Sequence, residues 1–322
     1  MKIAFHDNQL CERGTTISLY DYAYFNKYYL GNESVIMYYG SDHRNVPKVI
    51  NKFSKEFKLL PYENWNNDSN RLLKENGVDL LYMIKAGGRD GKIADKNICK
   101  TVVHCVFWCT KGDQHGDIYA SIAPWVSGNN GIFPFVRHII NLPNSDNNLR
   151  NKLNIPKDSK VFGRHGGYKQ FDIKYVQDSV YQVAKENSNI FFIFVNTEKF
   201  CENLNNIIHL PMIVDLNDKV EFINTCDAMI WGRSDGEIYS LSQGEFSSRN
   251  KPIICTKNVI NLGHVHKLGD NAIWYNSDDE LKKILINFDR EKNKLIDWNM
   301  YKDSKPELVM DEFKKVFIDP LF

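Results

Sequence analysis

The 322-residue sequence has no long apolar run, almost no net charge and few cysteines, and each shortage removes a class of protein. Its longest apolar stretches, such as residues 190–195 (Ile-Phe-Phe-Ile-Phe-Val), fall far below the roughly 20 residues that span a bilayer. No transmembrane segment is expected. The opening Met1-Lys2-Ile3-Ala4-Phe5-His6 turns polar at once and has no apolar h-region, so a secretory leader is not expected either. The seven cysteines are odd in number and scattered, which fits a reducing compartment better than a disulfide framework; the expected location is the cytoplasm. A formal net charge of +1 argues against a surface held to nucleic acid by general basic charge, and no nucleic-acid partner is expected. His104, Cys105, Cys109 and His115 lie near one another in sequence but match no common zinc spacing, so no metal cofactor is expected. Internal repeats and low-complexity segments are absent.

What is present is ordinary globular composition, 43% hydrophobic and 25% charged, in a chain long enough for roughly two domains. Short apolar runs alternate with longer amphipathic ones, the pattern of βα units around a parallel sheet. In the first half, strands are expected at 2–6, 34–39, 80–84 and 101–107, with a helix over 15–30 stopped by Gly31-Asn32. Asn141-Leu142-Pro143-Asn144-Ser145-Asp146 is polar and turn-rich, and a second βα series follows it. Strands are expected there at 160–163, 190–195, 207–210, 228–232, 252–256 and 272–275, with helices over 173–187 and 241–249. The expected fold is α/β: a first Rossmann-like domain over 1–148 and a second over 149–296, both doubly wound and facing a central cleft. The tail over 297–322 carries Trp298, Met300, Tyr301, Phe313 and Phe317, and is expected to pack as a helix against the first domain.

The segment with most chemistry is Gly232-Arg233-Ser234-Asp235-Gly236-Glu237-Ile238-Tyr239-Ser240-Leu241-Ser242-Gln243-Gly244-Glu245-Phe246. It follows an apolar strand and opens a helix, and its two glutamates are separated by seven residues. A carboxylate accepts two hydrogen bonds in a bidentate, charge-assisted way, which suits vicinal sugar hydroxyls. Acids are also favoured at any helix start by the helix dipole. A second element, Val161-Phe162-Gly163-Arg164-His165-Gly166-Gly167-Tyr168-Lys169, reads as strand, glycine-rich loop and helix, with two cations at the strand's mouth. Fixed cations stabilise a departing diphosphate electrostatically.

The glutamate pair resembles the E-x7-E motif of retaining family-4 glycosyltransferases of the GT-B fold. Asn250-Lys251-Pro252-Ile253-Ile254 is similar to the strand that follows that motif, and Arg164 and Lys169 have the five-residue spacing of the family's arginine and lysine. At Ile238-Tyr239-Ser240 the sequence departs from the commoner Glu-Gly-Phe-Gly. The resemblance implies transfer of a sugar from a nucleoside-diphosphate sugar to a glycan, lipid or small-molecule acceptor, with retention of configuration. It implies that Glu237 contacts the donor sugar and Glu245 the ribose, while Arg164 and Lys169 neutralise the leaving diphosphate, beside Gly163 and Asp235. From the first domain it implies Gly14, in Glu12-Arg13-Gly14-Thr15-Thr16, near the donor phosphates, and His104, in Val102-Val103-His104, near sugar and acceptor. His115, in Gln114-His115-Gly116, is a further acceptor-side candidate. No Asp-x-Asp occurs, which sets the chain apart from the other large glycosyltransferase architecture, where that motif holds a divalent ion. Two alternatives stay open: a nucleotide-sugar epimerase on the same scaffold, and a non-catalytic nucleotide-sugar binding protein.

Overall fold

The computed structural model describes residues 1–126 and 131–322. They fall into two compact units, Met1–Ile139 with Asp303–Phe322, and Ile140–Lys302. Each unit is built around a six-stranded parallel sheet.

The first unit runs β1 (Lys2–His6), α1 (Gly14–Tyr28), β2 (Glu33–Tyr39), α2 (Pro47–Ser54), β3 (Lys58–Tyr62), α3 (Trp65–Glu75), β4 (Leu80–Lys85), β5 (Lys100–Cys105) and β6 (Ile118–Ser121). Strand order is β3-β2-β1-β4-β5-β6, and the order reverses between β1 and β4, where His6 pairs in register with Met83. Every residue of β4 is buried, as expected of a central parallel strand covered on both faces. Helix starts follow local capping: Asn64 Oδ1 accepts from the backbone N–H groups of Asn66 (3.0 Å) and Asn67 (3.2 Å) to open α3. Gly31, at φ +70°, reverses the chain after α1, a conformation that costs a glycine little.

The second unit repeats the plan with β7 (Lys160–His165), α4 (Lys174–Glu186), β8 (Ile190–Val195), β9 (Ile207–Leu210), α5 (Leu216–Thr225), β10 (Ala228–Ile230), the two-residue β11 (Gly236–Glu237), α6 (Leu241–Ser248), β12 (Ile253–Cys255), the two-residue β13 (Asn261–Leu262), α7 (Gly263–Leu268), β14 (Ile273–Trp274), α8 (Asp278–Asn287) and α9 (Arg290–Lys294). Its order, β14-β12-β10-β7-β8-β9, is the same topology, reversing between β7 and β10. Alternation along the strands feeds two cores. Val161, Ile193 and Val195 join Phe222 and Phe246 on one face. Phe162, Phe192 and Phe194 join Val176 and Val180 on the other.

The structure moves three sequence boundaries. The second unit begins at Ile140, ahead of the turn-rich segment assigned to the junction, because Ile140 packs into its core and its Cδ1 approaches Gly244. The tail divides rather than acting as one piece. Trp298, Met300 and Tyr301 stay with the second unit, where Ser247 Oγ donates to Trp298 O (2.7 Å) and Asn250 Oδ1 accepts from Trp298 N–H (2.7 Å). Only Asp303–Phe322 joins the first unit, through α10 (Pro306–Phe313), whose Phe313 packs on Phe5, Tyr22 and Tyr82. Finally, β7 continues past residue 163 to His165, so Arg164 and His165 end a strand instead of lying in the glycine loop.

Candidate functional site

Ligands of open α/β sheets bind beyond the carboxyl ends of the strands, where the strand order reverses. In the second unit that point lies between β7 and β10, where Ala228 pairs with Phe162 and Met229 with Gly163. Arg164 and His165 end β7 on one side, and Trp231, Gly232 and Arg233 follow β10 on the other.

Arg164 is almost wholly buried. Its Nη1 donates to Thr197 Oγ1 (2.6 Å) and its Nη2 to Gly167 O (3.0 Å). Burial pulls its pKa down to about 10, against the attraction of Glu237, so the group stays charged at neutral pH. Its side chain passes under Gly166, which holds φ +154° and whose Cα leaves no room for a methyl group beside the guanidinium.

Glu237 lies on β11, which pairs with β13 (Gly236 with Asn261, Glu237 with Leu262). Two glycines permit that pairing: a Cβ on Gly236 would lie 2.0 Å from Asn261 O, and one on Gly263 would lie 2.0 Å from Ile238 O. Trp231 Nε1 donates to Glu237 Oε1 (3.1 Å) and Arg233 Nη1 to Glu237 Oε2 (3.3 Å). Burial raises the Glu237 pKa, opposed by Arg233, Trp231 and Arg164. Asp235 is largely exposed, 3.6 Å from Arg233, and its carbonyl receives Asn261 N–H (2.9 Å).

Glu245 stands on α6, whose N-cap Ser240 accepts from Gln243 N–H (3.3 Å). It is buried beside two basic side chains. Lys219 Nζ donates to its Oε1 (2.7 Å), and His165 Nε2 lies 2.9 Å from its Oε2. Burial alone would raise the Glu245 pKa; Lys219 and His165 overcome it and hold the carboxyl at about 2. The His165 contact is poorly aligned, leaving Oε2 without a well-formed hydrogen bond among the described residues.

The second unit therefore gathers Arg164, Glu237 and Glu245 around the end of β7, with His165 adjoining both Arg164 and Glu245. No hydrogen bond or ion pair joins the two glutamates directly among the described residues. Lys169 is not brought in with them. It is exposed and lines a shallow pocket with Tyr168, Asp172, Glu198 and Lys199. Gly163 is also displaced from its expected role: it is buried in β7, where a Cβ would lie 2.2 Å from Cys226 Sγ, so it is a packing glycine between β7 and α5.

The first-unit candidates separate. Gly14 is exposed at the first position of α1, whose N-cap Arg13 makes no side-chain cap. His104 corrects the expectation of a ligand-facing histidine, because it is fully buried in β5 with both ring nitrogens committed. Val136 O can only accept, so Nε2 donates to it (2.9 Å), and Nδ1 accepts from Tyr82 OH (2.6 Å). Burial pushes its pKa down to about 4, and it packs among Tyr22, Tyr82, His138 and Phe317 as a neutral core residue. His115 is half-buried in the loop after β5, where its Nδ1 donates to Asp113 O (2.6 Å) and its Nε2 has no partner among the described residues.

Sequence reasoning passed over Lys219, His165, Arg233 and Trp231. Lys219 had a legible signal: with Phe222 and Ile223 it forms an i, i+3, i+4 stripe on α5, so it occupies an inward position. Among the described residues no group of His, Cys, Asp and Glu is arranged to hold a metal ion, and no helix is long and apolar enough to cross a membrane.

No protein-family model and no curated protein matches the chain. Solved structures do. The chain is similar to HepE of Anabaena, solved with UDP and glucose, at a TM-score of 0.68 and 13% identity, covering 98% of each chain. This is the GT-B fold. A glycosyltransferase of Rickettsia africae shares it at a TM-score of 0.62 and 12% identity, over 99% of this chain and 95% of the other. WaaG, a glycosyltransferase involved in lipopolysaccharide biosynthesis, does so at 0.63 and 11%, over 98% and 99%. The GT-B likeness runs the length of both chains in each case, so neither unit is an insertion.

Proposed function

We propose that the chain is a glycosyltransferase that takes a sugar from a nucleoside-diphosphate sugar and passes it to an acceptor hydroxyl, with retention of configuration and without a metal ion. The observation that carries this reading is the gathering of Arg164, Glu237 and Glu245 at the reversal point of the second GT-B sheet. Retention is taken over from the family-4 resemblance. The metal-free reading is supported by the lack of Asp-x-Asp in the sequence and by a fixed cation at the end of β7.

In this reading the negative charge that builds on the leaving diphosphate meets Arg164, already desolvated and held by Thr197 and Gly167, so little reorganisation is needed during reaction. Glu245 Oε2, short of a good hydrogen bond, accepts from the ribose hydroxyls, while Lys219 keeps the carboxylate charged. Glu237, held by Trp231 and Arg233, accepts from the donor sugar. Lys169 joins only if the 166–170 loop moves on binding. Asp235 flanks the site by position, and His104 takes no part.

The UDP and glucose held by HepE make UDP-glucose the first donor to test. A ligand at about a hundredfold over its Kd stabilises the fold by about 2.7 kcal/mol. A panel of nucleoside diphosphates and their sugars is expected to raise Tm for one base, with Glu237→Ala weakening the sugar nucleotide more than the bare diphosphate. A panel with no response rejects the reading. An epimer formed from donor alone, with no acceptor present, replaces it with an epimerase.

A further inference from the structure

The two sheets share one strand order, so the first unit has its own reversal point, between β1 and β4. The donor reading uses none of the groups collected there. Asp7 follows β1 and Lys85 closes β4, strands that are direct neighbours. Lys85 is buried, and its Nζ reaches Asp90 Oδ1 (2.6 Å) and Lys92 O (3.3 Å). Lys92 crosses back to the β1 side, where its Nζ donates to Asn8 Oδ1 (3.2 Å), and it enters no ion pair among the described residues.

The acids at this point are not shared equally between the two lysines. Asp90 is matched to Lys85. Asp7 is buried, and its oxygens accept from Asn8 N–H (2.8 Å) and Thr16 Oγ1 (2.8 Å). Burial raises its pKa to about 6, so near neutrality its charge is held at a cost rather than freely offered. His6, alongside, is kept neutral by burial and by the nearness of Lys92 and Lys85. Lys92 is therefore the lysine without a carboxylate in contact among the described residues, at the place where a parallel sheet receives its ligand. Lysine is suited to this role, because it meets an anion as a point charge and does not demand the planar match that arginine does.

We propose that Lys85 and Lys92 anchor an anionic group, phosphoryl or carboxylate, on the acceptor of the reaction proposed above. The inference rests on the transferase reading for the word acceptor, and on the first unit alone for the anion. It makes the acceptor an acidic molecule and separates its site from the nucleotide's by chemistry as well as by unit.

The test uses the intact chain and four probes at matched concentration: glycerol, glycerate, glycerol 3-phosphate and UDP. Thermal shift and calorimetric titration are expected to detect one or both anions but not glycerol, and the stronger anion identifies the group. Lys92→Gln removes a cation that has no carboxylate to leave behind. It is expected to weaken anion binding by about tenfold or more and leave UDP unchanged. Lys85→Met should do the same, and Lys92→Gln stands in if that variant folds poorly. The anion response must also survive in Arg164→Met. Equal responses to glycerol and the anions overturn the proposal, as does anion binding unchanged in Lys92→Gln. Loss of the UDP response in Lys92→Gln overturns it too, by giving the lysines to the nucleotide. Absence of any nucleotide response in the wild type, with the anions still binding, removes the transferase reading and the acceptor role together and leaves an anion site.

Discussion

The two sheets follow one strand order and differ at the point where that order reverses. In the second unit the point is crowded with committed charge: Arg164 lies between Thr197 and Gly167, and Glu245 is bonded to Lys219 with His165 beside it. In the first unit only Lys85 and Asp90 are paired; Lys92 rests on an amide oxygen, and Asp7 is hydrogen-bonded but without a salt bridge among the described residues. Topology therefore decides where a site forms, and the residues placed there decide what it holds. The tight arrangement suits a ligand of fixed geometry such as a nucleoside diphosphate; the loose one suits a partner recognised by charge.

This contrast is open to measurement. The largest effect is expected from Lys219→Met, which leaves the Glu245 carboxylate buried with only His165 beside it. Removing one partner of a buried pair costs about 3–5 kcal/mol, whereas Lys92→Gln should fall within about 0.5 kcal/mol of wild type. Urea denaturation compares the two, and similar losses would erase the distinction between tight and loose sites. Next is Arg164→Met, expected to lower kcat/KM for sugar transfer by about a hundredfold to a thousandfold, the cost of one fixed group that stabilises developing charge. Steady-state kinetics with the donor found by the panel reads it.

The two reversal points should also answer pH with opposite sign. Asp7 binds its proton more tightly when folded, so its contribution is greatest in acid and is lost as pH rises from about 4 to 6, by about 3 kcal/mol. Glu245 binds its proton less tightly when folded, so its contribution is present above about pH 4.5 and is lost as pH falls toward 2, again by about 3 kcal/mol. Stability measured against pH for Asp7→Asn and Glu245→Gln should each differ from wild type in its own window. Parallel curves would show that the burial of one carboxyl is wrongly described. A smaller loss than at Lys219 is expected from Gly163→Ala, an overpacking cost of about 1–3 kcal/mol against Cys226. UDP affinity should be retained, since the glycine packs rather than binds.

Much of the fold could be read from the residues, and the reason is visible in β4 and β8. Leu80–Lys85 and Ile190–Val195 are unbroken buried runs, and such runs are what a doubly covered parallel sheet requires. β3 and β6 were missed because they form the edges of their strand order and are short or interrupted, with Pro61 inside β3. The site was legible where a residue's role is set by local order: Arg164 ends a strand, Glu237 follows one and Glu245 begins a helix. It was not legible where the role depends on contacts distant in sequence. His104 looked like a site histidine until Val136, 32 residues on, took its Nε2. Gly163 looked like a loop glycine until Cys226 was seen against it. Lys219 meets Glu245 across 26 residues, and only its inward position on α5 hinted at the meeting.

The clasp between β11 and β13 bears on any attempt to redesign what this protein accepts. Glu237 does not stand on a free loop: Asn261 donates from both its backbone and its side chain to Asp235 O, and Gly263 presses against the carbonyl of Ile238. A segment grafted at 233–240 from a homologue would arrive without its other half, and the 261–263 stretch would reject it by collision. The two stretches form one heritable module, separated by twenty residues of chain, and sequence change at one should be accompanied by change at the other.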